Sequence, residues 1–186
     1  RGYIKRTLAS EYRTQARGGK GLKGMETREA ADKDDQDDFV EHLFAATAHD
    51  YLMFFTDTGR VFVKKAYEVP EASRTSAGRS VRQLLELKES ESIVSMLALE
   101  NFRGSEQVPS GDLFFATRSG RVKRSALSEF KNINRSGLIA LNLNDGDALI
   151  GVVRTDPDDH VLLATEGGMA IRFQASDARS MGRSAA

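Results

Sequence analysis

Tyr51-Leu52-Met53-Phe54-Phe55-Thr56-Asp57-Thr58-Gly59-Arg60-Val61-Phe62-Val63-Lys64-Lys65 is the stretch on which the fold turns. An apolar, strand-sized run meets a short polar turn that ends in glycine, and a second apolar run returns. Two such runs joined by a glycine-bearing turn read as an antiparallel hairpin. The plan recurs downstream. Leu113-Phe114-Phe115-Ala116 and Val161-Leu162-Leu163-Ala164 are each followed by a threonine and a turn closing on glycine, Thr117-Arg118-Ser119-Gly120 and Thr165-Glu166-Gly167-Gly168. The returning strands are Arg121-Val122-Lys123-Arg124 and Met169-Ala170-Ile171-Arg172. A further copy enters part-way through, at Gly2-Tyr3-Ile4-Lys5-Arg6. The turn glycines 2, 59, 120 and 168 are spaced by 57, 61 and 48 residues, the signature of a repeat architecture.

The return strand at residues 60–65 reads as two residues longer than those at Gly2 and Arg121, an insertion that leaves side-chain facing unchanged. Beyond the hairpins, Ser10-Glu11-Tyr12 matches Ser128-Glu129-Phe130, Arg17 matches Arg135 and Gly19 matches Gly137. Ser76-Ala77-Gly78-Arg79-Ser80 matches Ser180-Met181-Gly182-Arg183-Ser184. The apolar segments 39–47, 93–99 and 148–153 suit buried strands, although residues 84–87 and 93–99 also fit short helix. The expected architecture is all-β, a propeller-like array of hairpin blades with approximate repeats 1–50, 51–110, 111–157 and 158–186. A single irregular β-sandwich is the alternative.

The 186 residues carry 27 basic and 27 acidic side chains, so the net charge is zero. The absence of cysteine excludes disulfides and thiolate metal sites. No apolar run reaches membrane-spanning length, and no signal peptide is recognisable. Arg1 is not an initiator methionine, and Arg1-Gly2-Tyr3 reads as the middle of a hairpin. The chain is therefore expected to be a piece cut at both ends.

Charge is segregated along the chain. Residues 1–24 sum to +6, 25–42 to −6, 59–83 to +4, 118–136 to +5 and 166–184 to only +1. Each return strand and its following loop are basic, while linkers are acidic. Charge runs are usually solvated faces. The same sign at the same place in successive repeats points instead to a periodic basic rim, for which phosphate backbone is the matching ligand. The richest of these loops is Gln15-Ala16-Arg17-Gly18-Gly19-Lys20-Gly21, with two cations among three glycines. Glycine permits turns that expose backbone N–H groups, which with flanking cations suit an anion. The same composition also fits a plain hairpin turn with a solvated rim.

Other chemistry is missing. The acidic tract 32–38 fails the EF-hand pattern, because Asp37 stands where glycine and Leu43 where glutamate is needed. His42, His49 and His160 lack zinc-ligand spacing. Thr14 and Gly21 break a phosphate-loop reading of Gly19-Lys20, and no G-x-S-x-G nucleophile turn occurs. No catalytic residue and no metal ligand is nominated.

The box at 15–21, preceded by Gly2-Tyr3-Ile4-Lys5-Arg6 and followed by the hairpin repeats, closely resembles the C-terminal domain of the gyrase A protein of bacterial DNA gyrase, over essentially the whole chain. Ala16 departs from the commonest form of the box, which has arginine there. The resemblance implies a β-pinwheel, a propeller-like ring whose neighbouring blades exchange strands and of which this chain would hold about four. It implies double-stranded DNA wrapped on a basic outer rim, in support of ATP-dependent negative supercoiling. It assigns DNA contact to the box, Gln15, Ala16, Arg17, Gly18, Gly19, Lys20 and Gly21, and to a rim of Lys5, Arg6, Arg13, Lys64, Lys65, Arg74, Arg79, Lys123, Arg124 and Arg135. It places no cofactor here; ATP and Mg would bind elsewhere in a complex of two gyrase A and two gyrase B chains. The implied partners are DNA, the gyrase B protein and the breakage-reunion domain of the gyrase A protein itself, in a bacterial cytoplasm near the nucleoid. The topoisomerase IV counterpart, which bends DNA without chiral wrapping, and a propeller-like protein-interaction module are the alternatives. The intact box opposes the first and the periodic cations the second.

Overall fold

The computed structural model describes residues 2–14, 16–27, 38–100, 102 and 110–183. Eleven strands and five short 3-10 turns make up the regular structure, and no α-helix occurs among the described residues. The strands are β1 (Tyr3–Ile4), β2 (Tyr51–Thr56), β3 (Arg60–Lys65), β4 (Arg79–Ser80), β5 (Ile93–Leu99), β6 (Asp112–Thr117), β7 (Val122–Ala126), β8 (Leu138–Ile139), β9 (Leu149–Thr155), β10 (His160–Ala164) and β11 (Ala170–Gln174).

The three expected hairpins are β2–β3, β6–β7 and β10–β11, all antiparallel. The threonine that opens each turn has a repeated use. Its carbonyl accepts the glycine N–H at 2.9, 2.9 and 3.0 Å in the turns ending at Gly59, Gly120 and Gly168. Its hydroxyl accepts the N–H of the residue after that glycine. Side chain and backbone together close the turn, as Ser and Thr commonly do.

A third strand lies on the far side of each central hairpin strand: β5 pairs with β2, and β9 pairs with β6. Segment 93–99 is thus strand rather than helix. Segment 39–47 differs from its expectation. It forms no strand, and Phe39, Val40 and Leu43 are exposed by 69%, 55% and 90%. Its counterparts β5 and β9 pair with the opening strand of their own hairpin. The first repeat supplies only the return strand β1, so these residues find no ladder among the described residues.

Neighbouring repeats exchange strands. β4, from the second repeat, pairs with β1 of the first, and β8, from the third, pairs with β3 of the second. Ser180 of the fourth repeat bridges to Arg124 of the third, as Glu71 bridges to Arg6. The core is built between repeats. Leu52 and Phe54 face the first repeat's side, while Met53 and Phe55 face the third. Leu113 and Phe115 in turn face the second repeat and Phe114 the fourth. Phe55 and Phe115 meet edge-to-face, 5.9 Å between centroids. Central strands buried on both faces read as unbroken apolar runs, since both members of the period-two alternation are covered.

The repeats share one register, which corrects two expectations. The 3-10 turns Ala9–Glu11, Ala66–Glu68, Leu127–Phe130 and Ala175–Asp177 each begin seven residues after the turn glycine. The second return strand therefore holds no insertion. Phe62 stands in the place of Lys5 and Lys123, and Lys64 and Lys65 are the counterparts of Ser125 and Ala126. Arg17, Arg74, Arg135 and Arg183 all fall fifteen residues after their glycines. Arg183 thus corresponds to Arg74 and not to Arg79, as the paired bridges at Glu71 and Ser180 require.

Candidate nucleic-acid interface

The box is a loop tied at its ends and open in its middle. It leaves the 3-10 turn at Ala9–Glu11, and its tip is a turn in which the Gly19 N–H donates to the Ala16 carbonyl at 3.0 Å. Gly18 has φ +83°, a conformation that glycine adopts without strain, and a Cβ there would meet no atom within 4 Å. The tip faces open space, with its backbone uncovered. Ala16, Arg17, Gly19, Lys20 and Gly21 are likewise exposed, whereas Gln15 lies outside the described residues.

The nominated cations divide into two groups. Arg13, Arg17, Lys20 and Arg79 are exposed, and their side chains have no hydrogen-bond or ion-pair partner among the described residues. Arg135 joins them. It meets Glu86 at 3.3 Å, but its side chain stays 85% exposed, so the pairing is screened by water.

The second group has partners within the fold. The Lys5 ammonium donates to the carbonyls of Ser73, Arg74 and Ser76 at 2.9, 2.6 and 2.9 Å. Lys123 is buried and donates to the Arg183 carbonyl at 2.6 Å. Burial holds the Lys5 amine below its ordinary value against an opposing pull from Glu11. For Lys123, burial brings the pKa down to about 8 despite Glu129. These two amines hold the loop of the following repeat, Lys123 from a buried position and Lys5 from a partly buried one. Arg6 pairs with Glu71 at 2.8 Å and donates to the Val69 carbonyl, and Arg124 pairs with Asp112 at 3.3 Å. Lys64 sits against Glu68 at 3.6 Å. Lys65 lies 3.4 Å from the Tyr51 ring centroid and donates to the His49 carbonyl. Arg74 donates from its guanidinium to the Lys23 carbonyl.

Sequence reading missed Arg183 as a member of the periodic series, although its fixed spacing from Gly168 was visible. It also missed the second repeat's own device. Glu91 is 1% exposed and is bonded by the Thr56 and Thr58 hydroxyls at 2.7 and 2.8 Å. It pairs with Arg60 at 2.6 Å, and Arg60 also donates to the Ser136 carbonyl of the next repeat. Burial pushes Glu91 up, but the Lys88 N–H, the two hydroxyls and Arg60 outweigh it, and its pKa lies below the ordinary value.

No helix among the described residues is long and apolar enough to cross a membrane, and no group of acidic or histidine side chains there is arranged to hold a metal. What remains is a chain of strand-exchanged blades whose loops present unpaired cations. The family described as DNA gyrase C-terminal domain, beta-propeller, matches residues 1–46, 50–100, 111–156 and 159–186. The chain belongs to that family. The DNA gyrase A protein of Halalkalibacterium halodurans is 45% identical over 184 residues, covering 99% of this chain and 21% of the relative. The gyrase A protein of Deinococcus deserti is 45% identical over 183 residues, 98% of this chain and 21% of the relative. The chain thus spans about a fifth of the length of these relatives.

Among solved structures, the C-terminal domain of DNA topoisomerase IV aligns with TM-score 0.75 at 25% identity, over 100% of this chain and 52% of that one. A DNA gyrase A C-terminal domain aligns with TM-score 0.64 at 24% identity, over 99% and 55%. The latter likeness speaks for the fold. As a gyrase C-terminal domain, this chain has the all-β, propeller-like architecture expected of it, with the box on the loop of its first repeat.

Proposed function

We propose that this chain binds double-stranded DNA through its phosphates and wraps it across successive repeats, as the non-catalytic C-terminal domain of a gyrase A protein. The observation that carries this reading is the exposure of Arg13, Arg17, Lys20, Arg79 and Arg135 on loops of three consecutive repeats, four of them without a side-chain partner among the described residues. Cations with no internal role, recurring from blade to blade, suit a ligand of regularly spaced negative charge. Wrapping then follows from geometry. Contacts spread over neighbouring blades offset a bending cost on the order of 1–6 kcal/mol for a short site. Recognition is of backbone and deformability, so binding tolerates sequence.

In this reading the strand-passage chemistry, ATP and Mg belong to the gyrase B protein and to the rest of the gyrase A protein, in a bacterial cytoplasm. The box and the gyrase A relatives favour chiral wrapping over the simple bending of a topoisomerase IV counterpart. The test is a salt titration of duplex binding by the full-length protein carrying this chain. With about five phosphates neutralised, log K falls against log[salt] with a slope of about −4.5. Arg17→Ala with Lys20→Ala brings that slope nearer zero by about 2 and removes negative supercoiling while ATP-dependent relaxation persists. A slope near zero in the wild type, or strong preference for one sequence, refutes the proposal.

A further inference from the structure

Arg74 touches both ends of the box loop, which the Tyr12 hydroxyl also joins by a long bond to the Gly24 carbonyl at 3.5 Å. Its backbone N–H donates to Glu11 Oε2 at 3.2 Å, at the entry to the loop. Its guanidinium donates to the Lys23 carbonyl, at the exit. The exit is further tied by the Lys23–Glu26 ion pair at 2.9 Å and a weak bond from the Glu26 N–H to the Ser76 carbonyl at 3.5 Å. Arg74 is itself fixed from below, since Lys5 gathers the carbonyls on either side of it and its own, and the Ser76 N–H closes the turn on Ser73 at 3.1 Å. Between the two ties, Ala16 to Gly21 are exposed, and a Cβ at Gly18 or Gly21 would meet no atom within 4 Å. Pinning the ends removes most of the freedom a flexible loop of this size would have.

The fourth repeat shows which part of this arrangement is general. There Lys123 takes the Arg183 carbonyl and Glu129 accepts the Arg183 N–H at 2.8 Å, the same backbone grip at the same repeat position. At the junction of the second and third repeats the equivalent Arg135 reaches back to the exposed Glu86 carboxylate at 3.3 Å, so among the described residues the guanidinium bond to a backbone carbonyl at a loop exit is what Arg74 adds at the box.

We propose that Arg74, seated by Lys5 and Glu11, is a positioning residue that staples the box and so fixes where Arg17 and Lys20 meet DNA. This rests on the DNA-wrapping reading above. The staple holds the box of the first repeat in register with the loop of the second, so that DNA leaving one blade is delivered to the next at a set angle. Arg74 acts through its hydrogen bond and not through its charge, which separates it from Arg17.

The experiment uses the full-length protein carrying this chain, with Arg74→Ala and Arg74→Gln. Three quantities are read: the salt slope on a short duplex, the linking-number shift when ligase closes nicked plasmid at saturating protein, and amide exchange over residues 16–23 without DNA. For Arg74→Ala the expected result is a wild-type slope, a linking shift reduced roughly threefold or more, and box amides exchanging about tenfold faster. Glutamine keeps a neutral N–H donor, so Arg74→Gln recovers part of the shift and of the protection. A slope lowered by about one in both variants, with box exchange unchanged, makes Arg74 a phosphate contact and overturns the proposal. Wild-type linking shift and wild-type exchange in Arg74→Ala overturn it too. Should Arg74→Ala fail to fold, Arg74→Gln decides alone: a wild-type slope with faster box exchange supports the staple, and a lowered slope refutes it. A wild-type protein whose binding ignores salt refutes the DNA reading itself. The exchange measurement needs no DNA and still tests the staple.

Discussion

The junction between the first and second repeats and the junction between the second and third perform one task with different chemistry. At the first, Lys5 and Glu11 grip the backbone around Arg74. At the second, the place of Lys5 is taken by Phe62, whose ring packs beneath Gly137, and the carbonyl of Ser136 is held by Arg60 instead. Arg60 can approach because Glu91 neutralises it from inside. One junction satisfies a loop's carbonyls with an amine. The other covers the loop with an aromatic face and brings in a guanidinium from two positions earlier in the strand. The backbone path is what recurs, and the side chains that secure it are interchangeable provided the carbonyls find donors.

Removing Glu91 is the largest way to break that comparison. Glu91→Ala leaves Arg60 half-buried without its counter-charge and two hydroxyls without their acceptor, and is expected to cost about 3–5 kcal/mol in chemical denaturation. The wild type adds a pH signature. The folded pKa of Glu91 lies below the ordinary 4.5, so its contribution is complete above that value and fades as pH falls through the folded pKa. An acid transition shared by wild type and Glu91→Gln would show that Glu91 does not supply it.

Gly137→Ala sharpens the apolar half of the comparison. Gly137 has φ +83°, and an added Cβ would lie 2.8 Å from Phe62 Cε1, so backbone strain and overpacking combine to about 2–3 kcal/mol. The double change Phe62→Leu with Gly137→Ala should recover part of that loss, and simple additivity in the cycle would mean the ring is not the obstacle.

Lys123→Met tests the amine half with the smallest effect, about 1–2 kcal/mol near neutral pH, because the Arg183 carbonyl loses a donor. That cost grows with pH. The folded pKa of about 8 lies below the ordinary 10.5, so the unfolded chain binds the extra proton between those values and wild-type stability rises there with pH. Lys123→Met lacks that rise. Parallel stability curves for the two proteins from pH 8 to 10.5 would show that Lys123 is not buried as a charged amine.

The hairpins, their threonine–glycine turns and the all-β repeat were legible because they are local. Two apolar runs and a turn define a hairpin without help from the rest of the chain. The box was legible for the same reason, since glycines and cations at its tip need no partner. Residues 39–47 misled because apolar composition specifies that a strand is possible, whereas pairing depends on another strand being there. The supposed insertion in the second return strand misled because Lys64 and Lys65 imitate Lys123 and Arg124 in composition but not in register.

Sequence by itself determined the blade, the repeat and the segregation of charge, all of which follow from residue order over a few positions. Only the tertiary structure decided which cations face solvent. Lys5, Lys123 and Arg74 look in sequence like Arg17, and they differ because strand exchange carries a neighbouring repeat's carbonyls within reach of them. A cation's role is set by the nearest acceptor, and in this fold that acceptor lies up to 76 residues away.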